Sequence, residues 1–419
     1  MSASSPVLKF IDEQGDNIVT AVAYDYHGRR LASVSADGVI RIRDLDDNGV
    51  FCVEEGCEIK FAHLGTLWKV DWAHPGFGKQ LLATCSQDRT VKIWEEKNEA
   101  APGNDRSGLP RGMPRWMSVA TLNESRYGVV DVKFAPRHHG LRLASASEDG
   151  LVRVYKASDP SSAGAWKLES SFAPCPEGSA VTCLSWCRSP FLKPLMVVGT
   201  ATGLVQIWVS NGTAEDFGKW SEVAVELPGH SRARGVSSVD WSPQFSTLTD
   251  RIATCGGDGQ VQVHRLQRRG LAEEAWGDTQ TVHVKDEKGK AEGVAWTAEW
   301  DGCTSCLYTT DGSVCRTWVL DEDGVTWFCT DAFQDVGVGA GSGIGGGIGG
   351  VGGGGGRKAM MMAASSRHDD DAMAAAAAAA SGAPASASSA AAAPPPPTST
   401  GAAIGAGAGG VNAAPEMFD

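Results

Sequence analysis

No run of 18 or more apolar residues interrupts the chain, and its opening MSASSPVLKF lacks a basic stretch followed by an apolar core. Neither a membrane-spanning helix nor a secretory signal is therefore expected. Basic residues are also in deficit: 37 Lys plus Arg stand against 50 Asp plus Glu, a formal net charge of -13 in 419 residues. Non-specific nucleic-acid binding draws on cation clusters that release counterions from phosphate, so a chain without a basic stripe is not expected to bind DNA or RNA directly. The 11 cysteines are odd in number and scattered, several inside strand-like stretches (Cys85, Cys183, Cys255), which suits reduced thiols rather than a disulfide framework.

Signatures of catalysis are equally sparse. There is no Gly-x-Ser-x-Gly, His-Glu-x-x-His or phosphate loop. Gly341-x-Gly343-x-x-Gly346 has the letters of a dinucleotide fingerprint but lies in a glycine run with no strand before it and no helix after. Cys303-x-x-Cys306 has the spacing of half a zinc knuckle, but Cys315 and Cys329 are too far apart to complete it. His138-His139 reads as a solvent-facing loop, and Asp369 to Asp371 as a solvated charge run. No catalytic, cofactor-binding or metal-binding residue is assigned, and the chain is not expected to be an enzyme.

What is present divides the chain in two. From Asp335 onward hydrophobic patterning gives way to glycine runs, an alanine block at 374–380 and Pro394 to Pro397, a composition that orders no core and predicts a disordered tail over 335–419. The foldable part is 1–334. It contains six copies of one segment: LASVSADGVIRIRD from 31, LATCSQDRTVKIWE from 82, LASASEDGLVRVYK from 143, MVVGTATGLVQIWV from 196, IATCGGDGQVQVHR from 252 and SCLYTTDGSVCRTW from 305. Each follows an aliphatic-x-aromatic triplet: Val22 and Tyr24, Val70 and Trp72, Val132 and Phe134, Leu184 and Trp186, Val239 and Trp241, Val294 and Trp296. Alternation with period two means strand, and the Asp-Gly or Asp-Arg pair inside each copy means a tight hairpin. The recurrence of Asp37, Asp88, Asp149, Asp258 and Asp311 at the repeat period assigns them to those turns. Four-stranded units of this size bury both faces only by stacking around an axis, which predicts an all-β, six-bladed β-propeller. Two further stretches interrupt the repeat: 98–116 reads as a mobile loop on one rim, and 267–290 as a solvated insertion, with an extra rim hairpin or a partner contact as the alternatives.

The repeats resemble WD40 repeats, the second copy most fully. What the resemblance implies there is a blade-stabilising hydrogen-bonded chain of His63, Ser86 or Thr84, Asp88 and Trp94. The other copies, with Arg43, Tyr155, His264, Thr202 in place of the turn Asp, or Trp318 one residue late, are expected to lack it. Over 25–157 the similarity narrows. YDYHGRRLASVSADGVIRI, LWKVDWAHPGFGKQLLATCSQDRTVKIWEE and VVDVKFAPRHHGLRLASASEDGLVRVYKA are similar to the Seh nucleoporins, relatives of the Sec coat propeller of secretory vesicles.

That resemblance implies an open six-bladed propeller whose seventh blade comes in trans from a helical nucleoporin of the Y-shaped nuclear pore scaffold. It implies a place at the nuclear envelope, with a second role in a nutrient-signalling complex at lysosomal or vacuolar membranes. The alternative is a vesicle-coat propeller in endoplasmic reticulum export. A missing blade leaves two strand edges unpaired, and such edges accept strands from other chains. By position the receiving edges are expected around Val19, Val22 and Tyr24 in the first unit and Trp296 and Trp318 in the sixth.

Overall fold

The structure, a computed structural model, describes residues 18–46, 51–52, 57–98, 114–159, 163–190, 192–213, 216–243, 248–269, 276–284, 297–301, 306–310, 314–321 and 326–334. The tail from Asp335, Asp311 and Trp296 lie outside them. The described residues form six antiparallel sheets whose strands pair in chain order, so the chain is an all-β, six-bladed propeller. The innermost strands are Val19–Tyr24, Leu67–Trp72, Val129–Phe134, Val181–Trp186, Val236–Trp241 and Thr297–Trp300, in blades 1 to 6. Five blades have four strands; in blade 1 the two short segments Phe51–Cys52 and Glu58–Ile59 share the third strand, Ile40–Leu45, as their partner.

The repeat imposes the same local devices on each blade. The hairpin between the second and third strands needs one residue in the left-handed region, and Gly38, Gly150, Gly203 and Gly259 supply it at φ between 77° and 83°. In blade 2 Arg89 takes that place at φ 72°, a conformation that strains a side chain. A bulge recurs near the start of the innermost strand in blades 1 to 5, between Val19 and Ala21, Leu67 and Lys69, Val129 and Asp131, Val181 and Cys183, and Val236 and Ser238. Bulges of this kind add twist, which suits blades that radiate from an axis.

Alternation then distributes the apolar side chains between neighbours. Along the second strand of blade 2, Leu81, Ala83 and Cys85 enter the cluster shared with blade 3, while Leu82 enters the one shared with blade 1. Five such clusters occur, one at each junction from blades 1 and 2 to blades 5 and 6. Among the described residues none joins blade 6 to blade 1.

Two expected insertions prove smaller. The described part of 267–290 is blade and not a rim insertion: Gln267 and Arg268 end the third strand of blade 5, and Trp276–Val284 is its fourth, while 270–275 and 285–290 lie outside the described residues. The charged letters hide a strand anchored by Trp276, whose indole N–H donates to Asp250 Oδ2 at 3.2 Å. The same carboxylate takes a bidentate pair from Arg268. Of 98–116, Asn98 and Pro114 to Trp116 belong to paired strands, with Asn98 opposite Pro114; residues 99–113 lie outside the described set. His139 is not solvent-facing. It is buried in a 3-10 turn, Arg137–His139, with its ring edge-on to Phe217 at 5.6 Å.

Candidate functional site

Within a blade, the expected chain of side chains is present in blade 2 with one change. The Trp94 indole N–H donates to Thr84 Oγ1 at 2.9 Å, Thr84 Oγ1 lies 2.9 Å from His63 Nε2, and His63 Nδ1 lies 2.9 Å from Asp88 Oδ2. Burial lowers the His63 pKa despite the Asp88 partner, so the ring is neutral near pH 7. One arrangement then satisfies every atom: Nδ1–H donates to Asp88, and Nε2 accepts from the Thr84 hydroxyl. Burial alone would raise the Asp88 carboxyl, but hydrogen bonds from His63 and Thr90 hold it below the usual carboxylate range. Ser86 is outside this chain: its hydroxyl accepts the Asp88 N–H at 3.1 Å. Trp94 pairs across the hairpin with Leu82, which brings its indole to Thr84, two residues nearer than Ser86.

Blade 5 carries a second such network, contrary to expectation. His230 Nδ1 is 3.1 Å from Asp258 Oδ1, and its Nε2 is 3.0 Å from Thr254 Oγ1. His264 stands where blade 2 has Trp94, and its Nε2 lies 3.1 Å from Thr254 Oγ1. An imidazole N–H replaces the indole N–H, while Nδ1 takes the Thr281 hydroxyl at 2.9 Å. Burial lowers the His264 pKa to about 3, which keeps the ring neutral. The signal in the sequence was Gly229-His230.

The remaining blades use other chemistry. In blade 3 Asp149 forms a buried pair with Arg153, 2.6 Å from Nη2 to Oδ2, and also accepts the Arg126 N–H. In blade 1 the Ser35 hydroxyl donates to Asp37, and Arg43 Nη1 donates to Ser33 Oγ at 2.8 Å. In blade 4 Val198 replaces the threonine, and the Trp208 indole nitrogen is buried with no hydrogen-bond partner. In blade 6 Trp318 donates to Thr309 Oγ1 at 2.8 Å and is buried, so it belongs to the blade core and not to a receiving edge. Its hairpin is one residue shorter than that of blade 2, which puts the late tryptophan back in register opposite Leu307.

Across blades, the site of interest is the edge that closes the ring. Each innermost strand packs on the next, from blade 1 through blade 6, but no comparable packing joins the described strands of blades 6 and 1. Blade 1's innermost strand carries the consequence: all six residues, Val19, Val22 and Tyr24 included, are only half-buried, whereas those of blades 2 to 5 contain fully buried residues. On the other side the expected edge residue Trp296 lies outside the described residues, and the innermost strand is described from Thr297. That strand is Thr297–Trp300, set four residues later, because Trp300 pairs with Leu307 and takes its N–H to Asp240. Trp300, rather than Trp296, is the aromatic that ends it.

The five closed junctions share one contact. The residue immediately before the terminal aromatic of each innermost strand accepts from the corresponding aromatic of the next blade. Ala23 O accepts the Trp72 indole N–H at 3.0 Å, and Asp71 Oδ2 accepts the Phe134 N–H at 2.7 Å. Lys133 O accepts the Trp186 indole N–H at 3.2 Å, and Ser185 Oγ accepts the Trp241 N–H at 3.0 Å. Asp240 accepts twice from Trp300, the N–H on Oδ2 at 2.9 Å and the indole N–H on its carbonyl at 3.1 Å. Asp131, two residues before Lys133, adds an acceptor for the Leu184 N–H at 2.9 Å.

The innermost strands bring four acids near one another: Asp71, Asp131, Asp240 and Glu299 all act on the charge of Lys133. Burial raises the carboxyls of Asp71, Asp131 and Glu299. Lys133 stands among them; burial would lower its pKa, but Asp71, Glu299, Asp131 and Asp240 raise it. Three of the four acids are engaged as junction acceptors, a structural use. Among the described residues no group of three or more His, Cys, Asp or Glu has the arrangement of a metal site.

The WD domain, G-beta repeat family matches at 5–44, 56–95, 116–156 and 221–265. Nucleoporin SEH1 of Xenopus tropicalis is 30% identical over 324 residues, which cover 74% of this chain and 84% of that protein. Nucleoporin SEH1 of Danio rerio is 31% identical and that of Homo sapiens 29%, each over 335 residues, or 77% of this chain and 86% and 87% of theirs. The chain belongs to the nucleoporin SEH1 family, a branch of the WD40-repeat propellers.

Proposed function

We propose that this chain is a non-catalytic scaffold subunit of the nuclear pore outer coat, completed by a blade that a helical nucleoporin donates in trans. The observation that carries the proposal is the half-buried innermost strand of blade 1, which among the described residues does not pack on that of blade 6 as the other innermost strands pack on their neighbours. An edge of this kind offers a ladder of main-chain hydrogen bonds and an apolar wedge, which are the two requirements of strand addition. The SEH1 relatives direct the choice of partner to the pore, and with it the role to nucleocytoplasmic and mRNA transport at the nuclear envelope. The same open edge serves a related subunit of a nutrient-signalling complex at the lysosomal or vacuolar periphery. The vesicle-coat reading differs from this one in partner and not in physics.

Affinity purification of the tagged full chain from its own cells at low salt, with mass spectrometry of the near-stoichiometric partners, tests the proposal. Helical pore-scaffold subunits are expected. Recovery of vesicle-coat subunits instead would move the chain to secretory export, and a chain that purifies alone would remove the donated blade.

A further inference from the structure

Resting on the donated-blade reading, we infer that Glu299 is the docking point for that blade: its carboxylate accepts a main-chain N–H, and its carbonyl an indole N–H, from an aromatic residue of the partner's innermost strand. The inference follows from the junction contact. Ala23, Asp71, Lys133, Ser185 and Asp240 each precede the terminal aromatic of an innermost strand, and each accepts from the aromatic of the following blade. Glu299 precedes Trp300 and is the sixth member of the series. Among the described residues no blade follows it.

Its state fits a group awaiting a partner. Among the described residues no hydrogen bond reaches the Glu299 side chain, and its interactions are with the charges of Lys133, Lys69, Asp240 and Arg188. Glu299 is half-buried, and burial desolvates its carboxyl, which favours any N–H that can reach it. Asp240, one junction earlier, shows the completed arrangement, with side chain and carbonyl both engaged by one tryptophan. Of the five junctions, three use an indole N–H on the main-chain carbonyl, so tryptophan is the preferred partner residue.

The opposite edge constrains the residue before it. Tyr24 ends the innermost strand of blade 1 in the register that Phe134, Trp241 and Trp300 hold in theirs, opposite Leu31 as Phe134 is opposite Leu143. Its N–H is therefore directed to the donated blade, and the side chains that receive such an N–H elsewhere are Asp71, Ser185 and Asp240. The donated innermost strand should thus read aliphatic, then Asp or Ser, then Trp.

The test uses the full chain and the helical subunit that co-purifies with it. Hydrogen exchange on the chain alone and in the complex comes first: new protection on both Val19–Tyr24 and Thr297–Trp300 is expected. Protection on those strands already complete in the chain alone would mean that its own segments or a second copy fill the gap, and would end the donated-blade reading whatever Glu299 does. With new protection established, Glu299→Ala is expected to weaken the complex about 10- to 150-fold, the value of a hydrogen bond to a charged group. Glu299→Gln, which keeps an acceptor oxygen, should lose less than about tenfold. Neither should change the melting temperature of the isolated chain, whereas Asp240→Ala, which breaks an internal junction, should lower it. Unchanged affinity in Glu299→Ala, a melting temperature lowered as far as in Asp240→Ala, or a donated strand with no aromatic opposite Glu299 would each overturn the inference while leaving the donated blade in place.

Discussion

Replacing Thr84 with valine keeps its shape but removes one hydroxyl, and that hydroxyl is the only link between two buried side chains in blade 2. Thr84 is fully buried, His63 is 4% exposed and Trp94 is 5% exposed. Without Oγ1 the Trp94 indole N–H loses its acceptor and His63 Nε2 loses its donor, and both residues are buried. An unsatisfied buried polar group costs about 1–3 kcal/mol, so two cost about 2–6 kcal/mol; burying a methyl in place of the hydroxyl returns about 1 kcal/mol. The expected net loss is about 1–5 kcal/mol, or roughly 2–10 °C in melting temperature for a propeller of this size. Thr84→Ser keeps the bridge and gives up one methyl, about 1 kcal/mol. Urea denaturation of both full-length variants reads the difference as a shift in midpoint at constant slope. Thr84→Val within about 0.5 kcal/mol of the parent, or no better tolerance of Thr84→Ser, would show that the chain of hydrogen bonds does not hold the blade.

Blade 4 supplies the reverse experiment: Val198→Thr places a hydroxyl at the position Thr84 holds in blade 2 and should raise stability by about 1 kcal/mol through the unpartnered Trp208 indole, a gain read by the same urea midpoint. Stability should also fall on mild acidification. Burial lowers the pKa of both His139 and His264 to about 3, so below the unfolded value of 6.5 the unfolded chain binds more protons than the folded one. Each contributes a slope of up to about 1.4 kcal/mol per pH unit between those limits, and melting temperatures at pH 7, 6 and 5 that do not decline would refute it. Asp71, Asp131 and Glu299, whose pKa values burial raises, act in the opposite sense above the ordinary carboxylate value. Hydrogen exchange on the isolated chain should be fastest in blades 1 and 6, which have one neighbour each, and slowest in blades 3 and 4; uniform protection across the six would mean that the ring is closed.

The blade was legible because its signals are local. The hairpin turns at Asp37, Asp88, Asp149 and Asp258 and the strands on either side follow from turn chemistry and period two within about a dozen residues. Local reading failed where two solutions had the same letters. Val294-x-Trp296 and Ala298-x-Trp300 both fit the triplet, and only the pairing of Trp300 with Leu307 and its reach to Asp240 decides between them. It failed again at His264, read as the loss of a tryptophan, because an imidazole N–H can serve the same threonine that an indole serves elsewhere. In the last strand of blade 5 the charges of 267–290 concealed Trp276, which joins the apolar cluster between blades 4 and 5 and donates its indole N–H to Asp250, the partner of Arg268.

The junctions between blades were not legible at all, and the reason is geometric. Each joins residues 49 to 63 positions apart, and the acceptor varies between a carboxylate, a hydroxyl and a bare carbonyl. Where the carbonyl serves, at Ala23 and Lys133, the side chain carries no information, so no motif exists to be read. What is invariant is a place: the residue before the aromatic, turned toward the next blade. An open ring makes that place a binding determinant, because the last member of the series has its acceptor and lacks its donor. A closed six-bladed ring would have used Glu299 on Tyr24 as Asp240 is used on Trp300. Among the described residues the innermost strands of blades 6 and 1 do not pack together as the other neighbours do, and on the donated-blade reading the donor comes from another strand.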